Sequence, residues 1–349
     1  MKKIFISLLA AAALAACTKS EIQYDEPAEI GFAPATKNIT KAEGLSGNLA
    51  AAQRLGIWAF WDNDAVVPVN TDGTSTGVIT APTYTDYTDN YLVNALFAKR
   101  DDITNWGGSP TGYPWPVNGA LIFAGYTTPG NAVMTTGTSA GNVNYVLSTD
   151  TMTFTEYENT NEFDLCWFGR TASAYNYRAA GTAVGVTLSH ALTWVSIAVY
   201  GEGTPVNNWT ITSISLENVT TKGTATCSGS TNKATWTSTT ATTATAPLSI
   251  YRGSHTITAG TIENGKTTGV KLTDNVLIPS STVKLKVDYT FLVNGVEKQD
   301  SKTITLNKDQ AWVSGVHYIY TLQFKGNEIL VAPSYSDWGT PVDETITVQ

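Results

Sequence analysis

Strict alternation of apolar and polar residues in the segment 283–293 constrains this fold more than any other feature of the sequence. In VKLKVDYTFLV every second residue is apolar, and Lys, Asp or Thr separates the apolar residues as far as residue 290. Successive side chains of a β-strand point to opposite faces, so a period of two predicts a strand with one buried face and one face in water. The sequence therefore predicts a chain built from sheets that cover one another.

Further strands are predicted along the whole chain. The alternation returns at 316–324, and the more continuously apolar segments 55–61, 119–126 and 191–200 are typical of central strands. Asn294-Gly295 separates two strand segments and predicts a hairpin, because a type I′ turn needs two residues at positive φ.

Short strands with Gly and Asn turns between them predict an all-β fold of sandwich domains. One short helix is expected within 87–100. The length of 349 residues predicts about two domains after an export signal. We place them at 28–180 and 181–349, with the break in the small-residue stretch 179–185.

The N-terminus has the proportions of an export signal. Two lysines precede an apolar run at 4–16 that is too short to span a bilayer, and the run ends in Leu-Ala-Ala-Cys17. This ending resembles the lipobox of bacterial lipoproteins, in which the cysteine is diacylated on sulfur and becomes the new N-terminus. We expect removal of the signal peptide 1–16, lipidation of Cys17 and a polar tether at 17–27, with the acyl chains anchoring the protein at the outer membrane. The alternative is an ordinary signal with a coincidental cysteine.

Charge and cysteine content exclude some classes of partner. The net charge is −8 and no Lys/Arg cluster is present, so nucleic acid and anionic lipid surfaces are poor candidates. Besides Cys17 the chain has Cys166 and Cys227. The export compartment permits a disulfide between them, but two independent buried thiols are the favoured interpretation, since a free cysteine commonly acts as a small core hydrophobe.

The sequence carries no recognisable catalytic motif. His190, His255 and His317 have no second ligand at metal-binding spacing, so each is interpreted as a surface or strand residue. The carboxylates at 62–64 and 86–89 lack the twelve-residue pattern of a calcium loop and are interpreted as solvated turns. We therefore predict no enzyme activity, no cofactor and no metal.

Five stretches of the sequence together resemble a known family. They are the lipobox with its polar tether and Ile30-Gly-Phe32, the basic linker 36–42 (TKNITKA), the run from Trp115-Pro116 to Tyr126, the segment 188–192 (LSHAL), and the tail 312–322 with Asp337-Trp338. The family is the fimbrillin family of the Bacteroidetes, which includes FimA-like and Mfa-like type V pilins. The resemblance covers essentially the whole mature chain.

The resemblance implies a fold and an assembly mechanism. It implies two transthyretin-like Greek-key β-sandwich domains in a structural or accessory subunit of fimbriae that serve cell adhesion. In that family a Lys/Arg-specific protease removes the first strand, and a strand of another subunit fills the groove. Here the removable strand would be 29–35, at or near a sheet edge, and the cut would follow Lys37, Lys41 or, less favourably, Arg54.

The resemblance also implies donor residues and partners. The donor strand would come from 316–324 and 344–348, with Thr345, Ile346, Thr347 and Val348 as candidates. Partners would be other fimbrial subunits, the outer membrane through acylated Cys17, and host or bacterial surface ligands. A subunit that keeps its lipid would remain an anchor.

A surface glycan-binding lipoprotein is the competing hypothesis. Ten Trp and sixteen Tyr could form a stacking platform for sugars. That function predicts coplanar exposed aromatic rings and no protease-sensitive first strand, whereas most of these aromatics lie in strand patterns that favour core packing.

Overall fold

β-Strands account for nearly all regular structure in the computed structural model of the chain. The structure describes residues 29–36, 54–63, 84–99, 106–109, 111–116, 119–128, 132–135, 142–159, 163–171, 174–175, 183–202, 208–263, 266–307, 311–326 and 328–337. Within these ranges helical structure is limited to a 3₁₀ turn, Tyr84–Asp86, and the single residue Asn208. None of the helical structure in those ranges has the length and apolar character needed to cross a membrane.

Twenty-two strands lie in the described part of the chain. They are β1 (Gly31–Thr36), β2 (Arg54–Asp62), β3 (Asp89–Lys99), β4 (Trp106–Gly108), β5 (Ala120–Thr128), β6 (Asn142–Val146), β7 (Thr151–Glu158), β8 (Cys166–Phe168), β9 (Ala174–Tyr175), β10 (Val184–His190), β11 (Thr193–Glu202), β12 (Trp209–Glu217), β13 (Thr220–Ser228), β14 (Lys233–Ala241), β15 (Leu248–Thr256), β16 (Thr261–Glu263), β17 (Lys266–Thr268), β18 (Val270–Leu277), β19 (Lys284–Val293), β20 (Val296–Thr305), β21 (Val316–Lys325) and β22 (Glu328–Asp337).

Seven strands close into a ring. Their hydrogen-bonded order is β2-β3-β4-β1-β10-β8-β5, and β5 pairs again with β2, while the short β9 adds to the other side of β5. The ring encloses an apolar cluster that includes Phe32, Phe97, Trp106 and Phe123. Closure leaves most of these strands with a neighbour on each side.

A four-stranded sheet, β14-β13-β7-β6, contributes to a second apolar cluster outside the ring. Strand β5 serves both clusters, because Leu121 and Phe123 belong to the ring interior whereas Ile122 and Tyr126 belong to the outer cluster. Both faces of β5 are therefore covered, which explains why 120–128 is buried throughout.

A second sandwich is formed by the sheets β18-β11-β21-β22 and β15-β12-β19-β20. Their inner faces share one apolar cluster, to which β19 contributes Leu285 and Val287 and β21 contributes Tyr320 and Leu322. The alternation in 283–293 and 316–324 thus matches the observed buried faces, and the all-β sandwich prediction is confirmed.

Two local predictions have opposite outcomes. The hairpin at Asn294-Gly295 is confirmed, since it joins β19 to β20 with φ values of 51° and 77° at its two turn residues. The short helix expected within 87–100 is wrong, because this segment is β3. A bulge at Asn94, with φ 49°, places an extra residue opposite β2 and shifts the alternation to a spacing that resembles a helix.

The sheets divide the chain differently from the predicted boundary between 28–180 and 181–349. Strand β10 pairs with β1 and β8, and the hairpin β13–β14 leaves the second sandwich to pair with β7. The physical reason is apolar burial: Leu188 packs inside the ring, while Ala225 and Cys227 join the cluster outside it. Strand pairing therefore crosses the stretch 179–185, and the division into two independently folding domains there stays a prediction.

Candidate functional site

Strand β1 is one of the strands of the ring, between β4 and β10, and not a strand at or near a sheet edge as the sequence predicted. It runs parallel to β10, from Phe32 opposite Val184 to Thr36 opposite Leu188. On its other side it runs antiparallel to β4, with pairs at Gly31 and Phe32 only. The expectation failed because the partners of β1 are distant in sequence and its own residues carry no signal for them.

Two side chains anchor β1 in the ring. Ile30, which precedes the strand, and Phe32 are both fully buried, and the spacing of two places them on one face. The centroid of the Phe32 aromatic ring lies 5.0 Å from that of Phe97 and 5.1 Å from that of Phe123. In both pairs the aromatic planes are nearly perpendicular. Each edge-to-face pair of this kind stabilises the fold by about 0.5–1.5 kcal/mol, beyond the free energy gained from burying the side chain.

The segment before β1 is held by backbone contacts. The amide of Ile30 donates to the carbonyl of Tyr113 at 2.8 Å, and Glu29 forms a β-bridge with Pro114. Tyr91 of β3 donates its hydroxyl to the carbonyl of Pro114 at 2.7 Å, which holds the segment that pairs with Glu29 and Ile30 against β3.

Departure of β1 would open the ring at one position. The strand-pairing groups of 184–188 on β10 and of Trp106 and Gly107 on β4 would lose their partners. The space left by Ile30 and Phe32 would expose the apolar cluster of the ring. An extended segment with apolar residues two apart matches such a groove, because a strand supplies both backbone groups and alternate side chains.

The predicted cleavage residues occupy different surroundings. Lys37 and Lys41 lie outside the described residues, directly after β1 in the sequence. Arg54 begins β2 and pairs with Ala98 on β3 and Thr128 on β5. A protease would have to separate Arg54 from both neighbours, since cleavage needs an extended and accessible backbone.

The predicted donor residues are also separated. Cys17 and the candidates Thr345, Ile346, Thr347 and Val348 lie outside the described residues. The other candidate segment, 316–324, lies within β21, an interior strand paired with β11 and β22. Its removal would open the core of the second sandwich, so the segment 344–348 is the better candidate of the two.

Sequence reasoning missed the residues that form the walls of the β1 position. The three-residue strand β4 and Phe97 of the misread segment 87–100 both contact or pair with β1. Alternation cannot be detected in a strand as short as Trp106–Gly108. The one available signal was the bulge residue Asn94, since Asn is among the residues that tolerate positive φ.

Comparisons with known proteins place the chain in a family. The sequence profile of the fimbrillin-like family matches residues 40–338, which is most of the chain. The chain therefore belongs to the fimbrillin-like family. It has the function of that class, a subunit of fimbriae concerned with adhesion, and is expected in a cell-surface appendage.

The solved structures to which the chain is similar are distant in sequence. A candidate cell adhesion protein of Bacteroides uniformis is 16% identical, with 89% of this chain and 98% of that chain covered and a TM-score of 0.49. The tip fimbrial protein Mfa3 of Porphyromonas gingivalis, with a C-terminal truncation, is 10% identical over 83% of this chain and 95% of its own, with a TM-score of 0.34. The fimbrial anchor protein Mfa2 of the same organism is 11% identical over 92% and 100%, with a TM-score of 0.30. No curated protein matches the sequence.

Proposed function

We propose that the protein is an outer-membrane lipoprotein precursor of a fimbrial subunit, and that it assembles by exchange of the strand β1. The observation that carries the proposal is the position of β1 between β4 and β10, with Phe32 as its anchor in the ring. The subunit is a structural protein, and its partners are other subunits of the same appendage.

Proteolysis is the proposed trigger. Lys37 and Lys41 follow β1 within a few residues, so a cut after either would leave β1 attached by non-covalent contacts alone: its strand pairing, the backbone contacts of Glu29 and Ile30, and the burial of Ile30 and Phe32. The same cut would separate the body of the subunit from Cys17 and its lipid. A subunit that is cut can leave the membrane, whereas an uncut one stays anchored.

The donor segment has to reproduce the features of β1. It must run parallel to β10 and place two apolar side chains, two residues apart, where Ile30 and Phe32 lie. The segment Thr345-Ile346-Thr347-Val348 offers Ile346 and Val348 at this spacing, with Thr345 and Thr347 on the opposite face. This pattern supports the C-terminal segment as the donor.

The glycan-binding hypothesis receives no support from the aromatic residues. Among the described residues no Trp is exposed, and Tyr335 is the one aromatic among the exposed large hydrophobics. A single ring does not form a stacking platform.

Limited trypsin treatment of the purified full-length protein, followed by size-exclusion chromatography, tests the proposal. Cleavage after Lys37 or Lys41 should convert monomer into a ladder of oligomers, and deletion of 340–349 should abolish the ladder while leaving cleavage intact. The double variant Lys37→Gln, Lys41→Gln is the control that should remain monomeric. A cleaved protein that stays monomeric with residues 340–349 present would refute strand exchange.

A further inference from the structure

Three metal-ligating atoms converge inside the protein where β8 meets β10. The Oδ2 atom of Asp164 lies 2.7 Å from Nδ1 of His190 and 3.3 Å from Sγ of Cys166, and Sγ lies 3.4 Å from the same Nδ1. Cys166 and His190 are 24 residues apart, so spacing along the sequence does not identify them as joint ligands. Antiparallel pairing of β8 with β10 places the two residues directly opposite each other.

The three side chains are buried and their backbone is held in place. Asp164 and Cys166 are each 2% exposed and His190 is 6% exposed. Thr127 of β5 accepts a hydrogen bond from the amide of Cys166 at 2.7 Å and donates to the carbonyl of Asp164 at 3.1 Å. The second carboxylate oxygen of Asp164, Oδ1, is buried and has no hydrogen-bond partner. A buried carboxylate oxygen without a partner is unfavourable, and it indicates a missing positive group or donor.

We propose that Asp164, Cys166 and His190 bind a divalent transition-metal ion of the zinc class. In a tetrahedral zinc site with bonds of about 2.0–2.3 Å, neighbouring ligand atoms lie roughly 3.3–3.7 Å apart. Two of the three separations already match this spacing, and the third needs to widen by roughly 0.6 Å. Sulfur and imidazole nitrogen select zinc-like ions over calcium and magnesium, which prefer oxygen.

Charge balance also fits a divalent ion. A thiolate and a carboxylate together carry two negative charges, and a neutral imidazole adds none, so the bound site is neutral in a buried place. The Oδ1 atom of Asp164 belongs to a carboxylate that can bind through both oxygens, which gives the ion a fourth donor.

The same cluster without an ion is a different chemical state. Burial and the charge of Asp164 raise the pKa of Cys166 well above its ordinary value, so the thiol stays protonated and donates to Oδ2. Metal binding replaces that proton, which leaves to solvent, by a metal–sulfur bond. The ion-free and metal-bound states therefore differ in the reactivity of the Cys166 thiol and in the absorption spectrum of the site.

The position of the site suggests what the ion would do. The last pair between β1 and β10 is at Leu188, two residues from His190. An ion bound by Cys166 of β8 and His190 of β10 would hold these two strands together, on the side of β10 away from β1. This role does not depend on strand exchange.

Cobalt(II) is the first probe, because its thiolate complexes absorb in the near ultraviolet. The full-length protein, purified in detergent and treated with a chelator, should take up one Co²⁺ per chain with a thiolate charge-transfer band. Zn²⁺ should displace the cobalt and raise the melting temperature by roughly 5 °C at an excess of about a hundred times the dissociation constant. The variants Cys166→Ser and His190→Gln should lose the band.

Cys227→Ser is the matched control, since Cys227 is also a buried free thiol but lies in the cluster outside the ring. It should bind cobalt as the wild type does, and Cys17 is common to all these proteins. If the Cys166 variant fails to fold, the rate of alkylation of the wild-type thiols in mild denaturant is measured instead. Zn²⁺ should slow modification of Cys166 at least tenfold and leave the modification rate of Cys227 unchanged. A wild-type protein with no cobalt band and no zinc-dependent protection of Cys166 would show that the cluster is only a hydrogen-bonded one.

Discussion

Truncation of Phe32 tests the role of β1 as a strand anchored by one aromatic ring. Phe32 is fully buried and makes edge-to-face contacts with Phe97 and Phe123. Replacing a buried Phe by Ala costs about 3–5 kcal/mol, and the loss of two ring pairs argues against the lower end of that range for Phe32→Ala. We expect the free energy of unfolding in urea to fall by about 4 kcal/mol.

The same loss should weaken the retention of β1 once the chain is cut. A decrease of about 4 kcal/mol corresponds to roughly a thousandfold change in an equilibrium constant, since each 1.4 kcal/mol is tenfold. After trypsin cleavage at Lys37 or Lys41, the N-terminal fragment of Phe32→Ala should therefore dissociate hundreds of times faster than that of the wild type. Release is measured by trapping the freed fragment on a filter and quantifying it by mass spectrometry over time.

Ala33→Ser provides the matched control, because Ala33 is the exposed neighbour of Phe32 in the same strand. Exposed substitutions of this kind change stability by less than about 0.5 kcal/mol. Equal urea midpoints and equal release rates for Phe32→Ala and Ala33→Ser would mean that Phe32 does not hold β1 in the ring, and the reasoning would fail.

Three other changes test separate features. Cys17→Ala should abolish incorporation of a labelled fatty acid and release the protein from the membrane fraction; labelling that persists would exclude Cys17 as the lipidated residue. Burial lowers the pKa of His317 to about 4, against the opposing charge of Asp274. As the pH falls from about 6.5 to 4 the unfolded chain gains a proton that the folded chain does not, so stability should drop by up to about 3 kcal/mol. His317→Gln should flatten that part of a urea-unfolding series taken between pH 7 and 4, and an unchanged slope would contradict the assignment. Gly295→Ala should cost about 1 kcal/mol in thermal unfolding because φ there is 77°, while Gly185→Ala, with open space around it, should be nearly neutral.

Local patterns in the sequence predicted local structure well. The hairpin between β19 and β20 follows from residues that are neighbours along the chain, because Asn294-Gly295 determines the turn and alternation determines the faces. The interior strands of the second sandwich were predictable for the same reason. Such signals need no knowledge of which strand pairs with which.

Long-range pairing was not accessible from a single sequence. Nothing in the residues of β1 indicates a parallel partner in β10, and nothing in β13–β14 indicates that this hairpin joins β7. The convergence of Asp164, Cys166 and His190 depends on the same long-range pairing, so ligand spacing along the chain could not reveal it. In β3 the signal was misleading, because the bulge at Asn94 converts a strand pattern into a helical one.

The partners of β1 also determine the order in which the fold can be completed. Phe32 pairs with Trp106 and with Val184, so its second neighbour arrives about 150 residues later in the chain. A contact between such distant segments forms slowly, because closing the long loop costs entropy before the strand pairing stabilises the chain. During synthesis from the N-terminus the first of the described strands is therefore complete long before the sheet that will hold it. We therefore expect the strand that is synthesised first among those described to be among the last to complete its pairing.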